Sequence, residues 1–171
     1  MEATIRAAAA VADVADLVLV GSGVEEDSAR RLAVELGAEN VRFIGRRAPS
    51  EMAALAGVAD FQLVTLRDLP IFRGTIPSKL QAALACESPV IVSVPGDCAE
   101  LVESHGVGLA CPPDDWFALA DRFRQAAKLT AGERTEMGLR AGMVYRTLMS
   151  KRAGVDQLED MLVIAVGVRR R

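Results

Sequence analysis

The run Ile76-Pro77-Ser78-Lys79-Leu80-Gln81 sets a hydroxyl and an ammonium side by side at what reads as the start of a helix. With Pro77 near the first helical position, the N–H groups of Ser78 and Lys79 have no intrahelical acceptor. They also lie at the positive end of the helix dipole, so the turn suits a phosphate. Just before it, Leu69-Pro70-Ile71-Phe72-Arg73-Gly74-Thr75 is turn-rich, and Gly74 beside Thr75 would let backbone amides approach such a ligand closely. The plain alternative is a connecting loop.

Three further segments stand where chemistry can be placed. Gly21-Ser22-Gly23 follows a predicted strand and precedes a helix, the position of a phosphate-cradling loop. The Rossmann fingerprint wants a third glycine, but position 26 is Glu26, and Glu25-Glu26-Asp27 would repel a pyrophosphate, so a tight turn remains the other reading of Gly21 and Gly23. Arg46 and Arg47 close the second strand at its carboxyl end, where open α/β sheets bind ligands, or are two solvated surface arginines. In Pro95-Gly96-Asp97, a special backbone angle at Gly96 and an N-cap at Asp97 account for both residues, with a sugar contact as the alternative. His105, the only histidine, reads as a contact with the C-terminal end of a helix.

Composition narrows the classes. The 171 residues are 51% hydrophobic and 25% charged with a formal net charge of −3, which describes one ordinary globular domain spanning residues 1–171. Aromatics make up only 4% and acids outnumber bases, so stacking platforms and a positive field for nucleic acid are both lacking. Cys86, Cys98 and Cys111 are odd in number and have no Cys-x-x-Cys spacing, which argues against a disulfide framework or a zinc site and for a reducing cytoplasm. All three read as small buried hydrophobes beside apolar runs. Glu2, Arg6 and Asp13 break any signal-peptide pattern at the start, and no apolar run reaches membrane-spanning length.

The elements that would position these residues alternate between short apolar runs and amphipathic helices. That is the pattern of an α/β, Rossmann-like parallel sheet with helices on both faces. The strands are expected at Leu17 to Val20, Val41 to Ile44, Phe61 to Leu66, Val90 to Val94 and Gly108 to Cys111, each covered on two sides. Ala3 to Ala12 reads as a helix with no strand before it, so the first β-strand of the domain is expected to be missing and a sheet edge left unpaired. Glu25 to Leu36 turns Ala29, Leu32, Ala33 and Leu36 to one face. Ser50 is the expected N-cap of a helix through Met52, Leu55 and Ala56, and Asp114 that of a helix burying Trp116, Leu119, Ala120 and Phe123. Thr130 with Glu133 forms a capping box, after which only helices are expected to about Val166, followed by the tail Arg169-Arg170-Arg171.

Taken in order, Leu17-Val18-Leu19-Val20-Gly21-Ser22-Gly23, Asn40-Val41-Arg42-Phe43-Ile44-Gly45, Ala59-Asp60, Ile76-Pro77-Ser78-Lys79, Pro89-Val90-Ile91 and Gly106-Val107-Gly108 resemble the C-terminal half of a group 1 (family 4) glycosyltransferase of the two-Rossmann-domain, GT-B type. The nearest likeness is to bacterial enzymes of surface-polysaccharide synthesis that carry a Pro-Ser-Lys version of the donor site. The resemblance implies a nucleotide-diphosphate sugar held by this half, and an acceptor glycan or lipid-linked sugar held by an N-terminal half. It also implies transfer with retention, no metal and no cofactor, in the cytoplasm at the inner face of the membrane. The backbone of Arg46 and Arg47 would meet the base, and Ile76 to Lys79 would hold the diphosphate through amides, hydroxyl and ammonium. The family's two glutamates eight residues apart correspond here to Gly74 and Ala82, so sugar and ribose contacts would come from elsewhere, Gln81 among the candidates. On this reading the chain alone would not turn over substrate.

Two other classes fit parts of the pattern. A nucleotide-sugar epimerase of similar architecture would want carboxylates and histidine around the sugar, which the candidate loops scarcely offer. A non-catalytic nucleotide-binding module is the other, favoured by the missing glutamates. Binding that depends on the sugar separates the transferase from the module, and acceptor-dependent turnover separates it from the epimerase. The base, the sugar, the acceptor, the catalytic residues and the oligomeric state are not written in these residues.

Overall fold

A computed structural model describes residues 1–168, and the expected tail Arg169-Arg170-Arg171 lies outside them. In chain order the elements are α1 (Glu2–Ala9), β1 (Leu17–Val20), α2 (Glu26–Glu35), β2 (Val41–Gly45), α3 (Met52–Val58), β3 (Gln62–Thr65), α4 (Ser78–Ala85), β4 (Val90–Ser93), α5 (Asp97–Ser104), β5 (Gly108–Cys111), α6 (Trp116–Lys128), α7 (Ala131–Val144) and α8 (Lys151–Val168). A stretch of π-helix, Tyr145–Met149, joins α7 to α8. Among the described residues no helix is long and apolar enough to cross a membrane.

The fold is α/β with parallel strands and flanking helices. Five strands appear where apolar runs predict them, but they form two sheets rather than one: β1 pairs with β2, and β3-β4-β5 form the other, all pairs parallel. The two free edges are visible along the backbone. The amides of Leu17 and Gly21 bond across to Asn40 and Gly45, so Val18 and Val20 direct theirs away from β2. Likewise Gln62 and Leu66 bond to β4, which leaves Leu63 and Thr65 directed away from it. Among the described residues no strand pairing joins β1 to β3.

Helix α1 spans both sheets. Ala7 and Ala8, with Val11 in the turn that follows, pack with Ile91, Leu119 and Phe123 of the three-stranded side, while Ile5 packs with Ala29, Ala33 and Ala38 beside β1 and β2. Buried Asn40 fastens the junction, its Nδ2 donating to the carbonyls of Ala8 at 2.9 Å and Ala15 at 2.7 Å. On the opposite face of the larger sheet, Val64, Val90 and Val92 pack against Leu80 and Leu84 of α4, Val102 of α5 and Ala141 of α7. This second layer fixes the orientation of α4 and therefore of its N-terminus.

Several local expectations are corrected. Only β4 is buried at every position; Val18 and Val20 of β1 are 48% and 37% exposed, because no helix or strand covers that side of β1. Leu36 follows α2 as its C-cap and is exposed instead of joining Ala29 and Ala33. Ser50 does not cap α3. It lies inside a 3-10 turn, Pro49–Glu51, held by the Ala48 amide donating to the Glu51 carboxylate at 2.7 Å. The cap of α6 is Asp115, whose Oδ1 accepts from the Ala118 amide at 2.9 Å, and not Asp114, which sits at φ +58°. Cys86 is exposed at the end of α4, whereas Cys98 and Cys111 are buried as expected.

Candidate functional site

The carboxyl ends of the five strands converge. Arg46 Nε, after β2, donates to Ser22 Oγ, after β1, at 2.6 Å. Arg67 NH2, after β3, donates to Glu25 Oε1, beyond β1, at 2.6 Å. The Asp68 amide donates to Asp114 Oδ2, after β5, at 3.0 Å, and the Asp97 amide, after β4, donates to the Arg73 carbonyl at 2.8 Å. Every strand thus contributes a loop to one rim, the place where open parallel sheets bind ligands. Glu25, Arg67, Asp68, Asp114 and Arg73 were not candidates from the sequence. Their shared signal is position, each lying in a loop that leaves a strand's carboxyl end.

Around Glu25 the rim is closed on itself. The Met1 ammonium at 3.4 Å and the Arg67 guanidinium flank its carboxylate and hold it below the usual carboxylate range, with the Met1 charge the larger influence. A cavity of about 480 Å³ opens here, lined by Met1, Glu25, Leu32, Arg67 and Asp114 among others. A second cavity of about 380 Å³ lies at the other end of the sheet, beside Asp60, Glu87 and Arg134, away from all the rim loops.

The predicted residues fall into two groups. Gly21, at φ +120°, and Gly23 flank Ser22, the hydroxyl that Arg46 grips, so the first loop and the second strand's end form one unit. Arg47 beside it is exposed. The second group is the 74–81 turn. Pro77 occupies the N-cap of α4 rather than its first turn, which makes Ser78 and Lys79 the first two helical residues. The amides of Leu80 and Gln81 return to the Pro77 carbonyl, while those of Ser78 and Lys79 precede any intrahelical acceptor. Both side chains are exposed, as is Gln81 one step on. No acidic residue occupies the first turn of α4, in contrast with α2, which begins with Glu26 and Asp27. An anion is therefore favoured at α4 and opposed at α2.

Upstream, the loop is shaped for this end. Ile71 and Phe72 lie in a 3-10 turn, Pro70–Phe72, and Thr75 closes back on it: its amide donates to Phe72 O at 3.2 Å and its hydroxyl to Ile71 O at 2.9 Å. The Thr75 amide and hydroxyl are thereby engaged inside the loop, and Gly74 and Ile76 are the residues that stand between this closed turn and the α4 N-terminus. Asp97, expected as an N-cap, is instead the first residue of α5: Gly96 takes the cap position and no side chain makes the capping bond. His105 behaves as expected, its Nδ1 lying 3.0 Å from Leu101 O at the end of α5.

Comparison with known proteins bears on the fold and the family. The chain is 29% identical over 117 residues to the probable glycosyltransferase WbjE of Pseudomonas aeruginosa, covering 67% of this chain and 29% of that protein. Among solved structures it superposes on sucrose-phosphate synthase from Thermosynechococcus elongatus with a TM-score of 0.71, 24% identity and coverage of 94% of this chain and 42% of that one. It superposes on HepE of Anabaena, solved in complex with UDP, with a TM-score of 0.69, 21% identity and coverage of 94% and 44%. The chain thus spans less than half the length of each of these relatives. Residues 2–141 match the family described as glycosyl transferases group 1, and to that family the chain belongs.

Proposed function

We propose that this domain holds the nucleotide-diphosphate sugar donor of a retaining glycosyltransferase acting in cell-surface polysaccharide synthesis, with the diphosphate at the Gly74–Lys79 turn and the α4 N-terminus. The observation that carries the reading is the exposed pair Ser78 and Lys79 at the first two positions of a helix free of first-turn acids, at the carboxyl end of β3. The ammonium and the helix dipole would balance the diphosphate charge without a metal ion. Gln81 and the Arg46-Arg47 segment would serve the ribose and base, while Gly21 and Gly23 shape the loop that Arg46 braces.

In the full reaction the bond from the anomeric carbon to the diphosphate breaks and a bond to an acceptor oxygen forms on the same face. The acceptor hydroxyl loses its proton and the nucleoside diphosphate leaves. The acceptor, a glycan or lipid-linked sugar, would be held by a further domain, in the cytoplasm at the inner membrane face. Family membership and the UDP and UDP-glucose complexes of HepE support the donor half of this account.

Calorimetric titration of the chain with UDP, GDP and ADP tests it. One diphosphate should bind, and Lys79→Ala should weaken it about tenfold or more, as expected for a charge-assisted contact of about 1.5–3 kcal/mol. Binding by none of them, or binding indifferent to Lys79, overturns the reading.

A further inference from the structure

The turn from β4 into α5 is built to touch the donor loop. Gly96 adopts φ +69° and ψ −140°, a region that side chains rarely enter. A Cβ there would lie 2.1 Å from the Arg73 carbonyl oxygen, so the backbone of Gly96 rests directly on that of Arg73. The next amide, of Asp97, donates to the same oxygen at 2.8 Å. The first turn of α5 is thereby clamped onto the loop that leads to Ser78 and Lys79.

The clamp brings a carboxylate over Gly74. A Cβ on Gly74 would lie 3.9 Å from Asp97 Oδ2, so the exposed carboxylate stands beside a loop residue that has no side chain. The ordinary task of an acid at this place, capping the helix, goes undone, because Gly96 is the N-cap and no side-chain bond is made. Complementing the α5 dipole does not require Asp97 either, since Glu100 lies in the same first turn. Asp97 is exposed and forms no ion pair with any described residue.

A carboxylate accepts hydrogen bonds and donates none, so it repels phosphate and suits a pair of sugar hydroxyls. The 74–79 turn consequently has two chemically different ends: amides, hydroxyl and ammonium at Ser78 and Lys79, and a bare acceptor beside Gly74. A sugar joined to a diphosphate has the matching polarity. We propose that Asp97 is the residue that recognises the sugar hydroxyls of the donor and so determines which sugar is accepted. The proposal rests on the donor-site reading of the Gly74–Lys79 turn and adds to it the place and chemistry of the sugar.

The test is calorimetric titration of the native chain, Asp97→Asn and Lys79→Ala with UDP, GDP and ADP and with UDP-glucose, UDP-N-acetylglucosamine, GDP-mannose and ADP-glucose. In the native chain one sugar conjugate should bind more tightly than its parent diphosphate. Asp97→Asn should remove about tenfold of that advantage while leaving the diphosphate affinity unchanged or slightly higher. A merely structural role would weaken diphosphate and conjugate together. The proposal is overturned if every conjugate binds no better than its diphosphate, or if the advantage survives in Asp97→Asn. Failure of the donor site shows differently: no diphosphate binds, or Lys79→Ala binds as well as the native chain, and the Asp97 assignment falls with it.

Discussion

Cys86, Cys98 and Cys111 are one residue type in three electrostatic settings. Burial pushes the Cys98 thiol up to about 11 and raises that of Cys111 as well, so neither forms the reactive thiolate near neutral pH. Cys86 is exposed at the end of α4. A disulfide reagent at pH 8 should therefore titrate one thiol rapidly, with the other two appearing only on unfolding; three fast thiols would contradict the burial of Cys98 and Cys111. The sequence places all three beside apolar runs, and that pattern cannot separate a residue inside a helix from one just past its end. The same one-position uncertainty moved the cap from Asp114 to Asp115 and from Asp97 to Gly96. Asp114 and Asp115 are equivalent in a pattern, and only the turn's backbone angles decide which one faces the free amides; at α5 the positive φ of Gly96 puts a glycine at the cap.

At the scale of elements, the strongest local signals were read correctly. Thr130 and Glu133 form the reciprocal box expected of them: the Glu133 amide donates to Thr130 Oγ1 at 3.2 Å, and the Thr130 amide donates to Glu133 Oε2 at 2.7 Å. Thr130→Ala should lower stability by about 1 kcal/mol in denaturant titration, through loss of the cap. The Thr130 amide and hydroxyl also hold the Glu133 carboxyl below its ordinary 4.5. A depressed folded-state value means stabilisation that is full above the unfolded value and lost as pH falls through the lower folded one. Native and Glu133→Gln chains should accordingly differ in stability at neutral pH and converge in acid below 4.5; a gap that persists there would place the effect elsewhere. Where a signal depended on neighbours rather than on the segment itself, it misled. The valines of β1 are as apolar as those of β4, yet Val18 and Val20 stay exposed, because hydropathy records what a strand could bury and not whether another element arrives to cover it.

For the molecule as a whole, the α/β class and the alternation of strands and helices were legible from apolar periodicity. The division into two sheets was not, since it depends on which strand edges meet. Hydrogen exchange measures it directly. The amides of Val18 and Val20 should exchange at least about tenfold faster than those of Leu17 and Gly21, which are bonded to β2, and those of buried β4 should be slowest. Equal protection along β1 would mean that its outer edge is paired. The rim was visible only as separate loops, and its ties have a kinetic meaning. Ser22–Arg46 closes no more chain than the β1–β2 pairing does, but Glu25–Arg67 and Asp68–Asp114 join positions 42 and 46 residues apart, and each requires closure of a longer loop before it returns any stabilisation. Helices and neighbouring strand pairs can form before these loops meet, which makes the rim one of the last parts of the protein to be assembled. A molecule that has collapsed and gained its helices would still lack the assembled rim, and the recovery of the proposed nucleotide binding during refolding would time the final closure rather than the first.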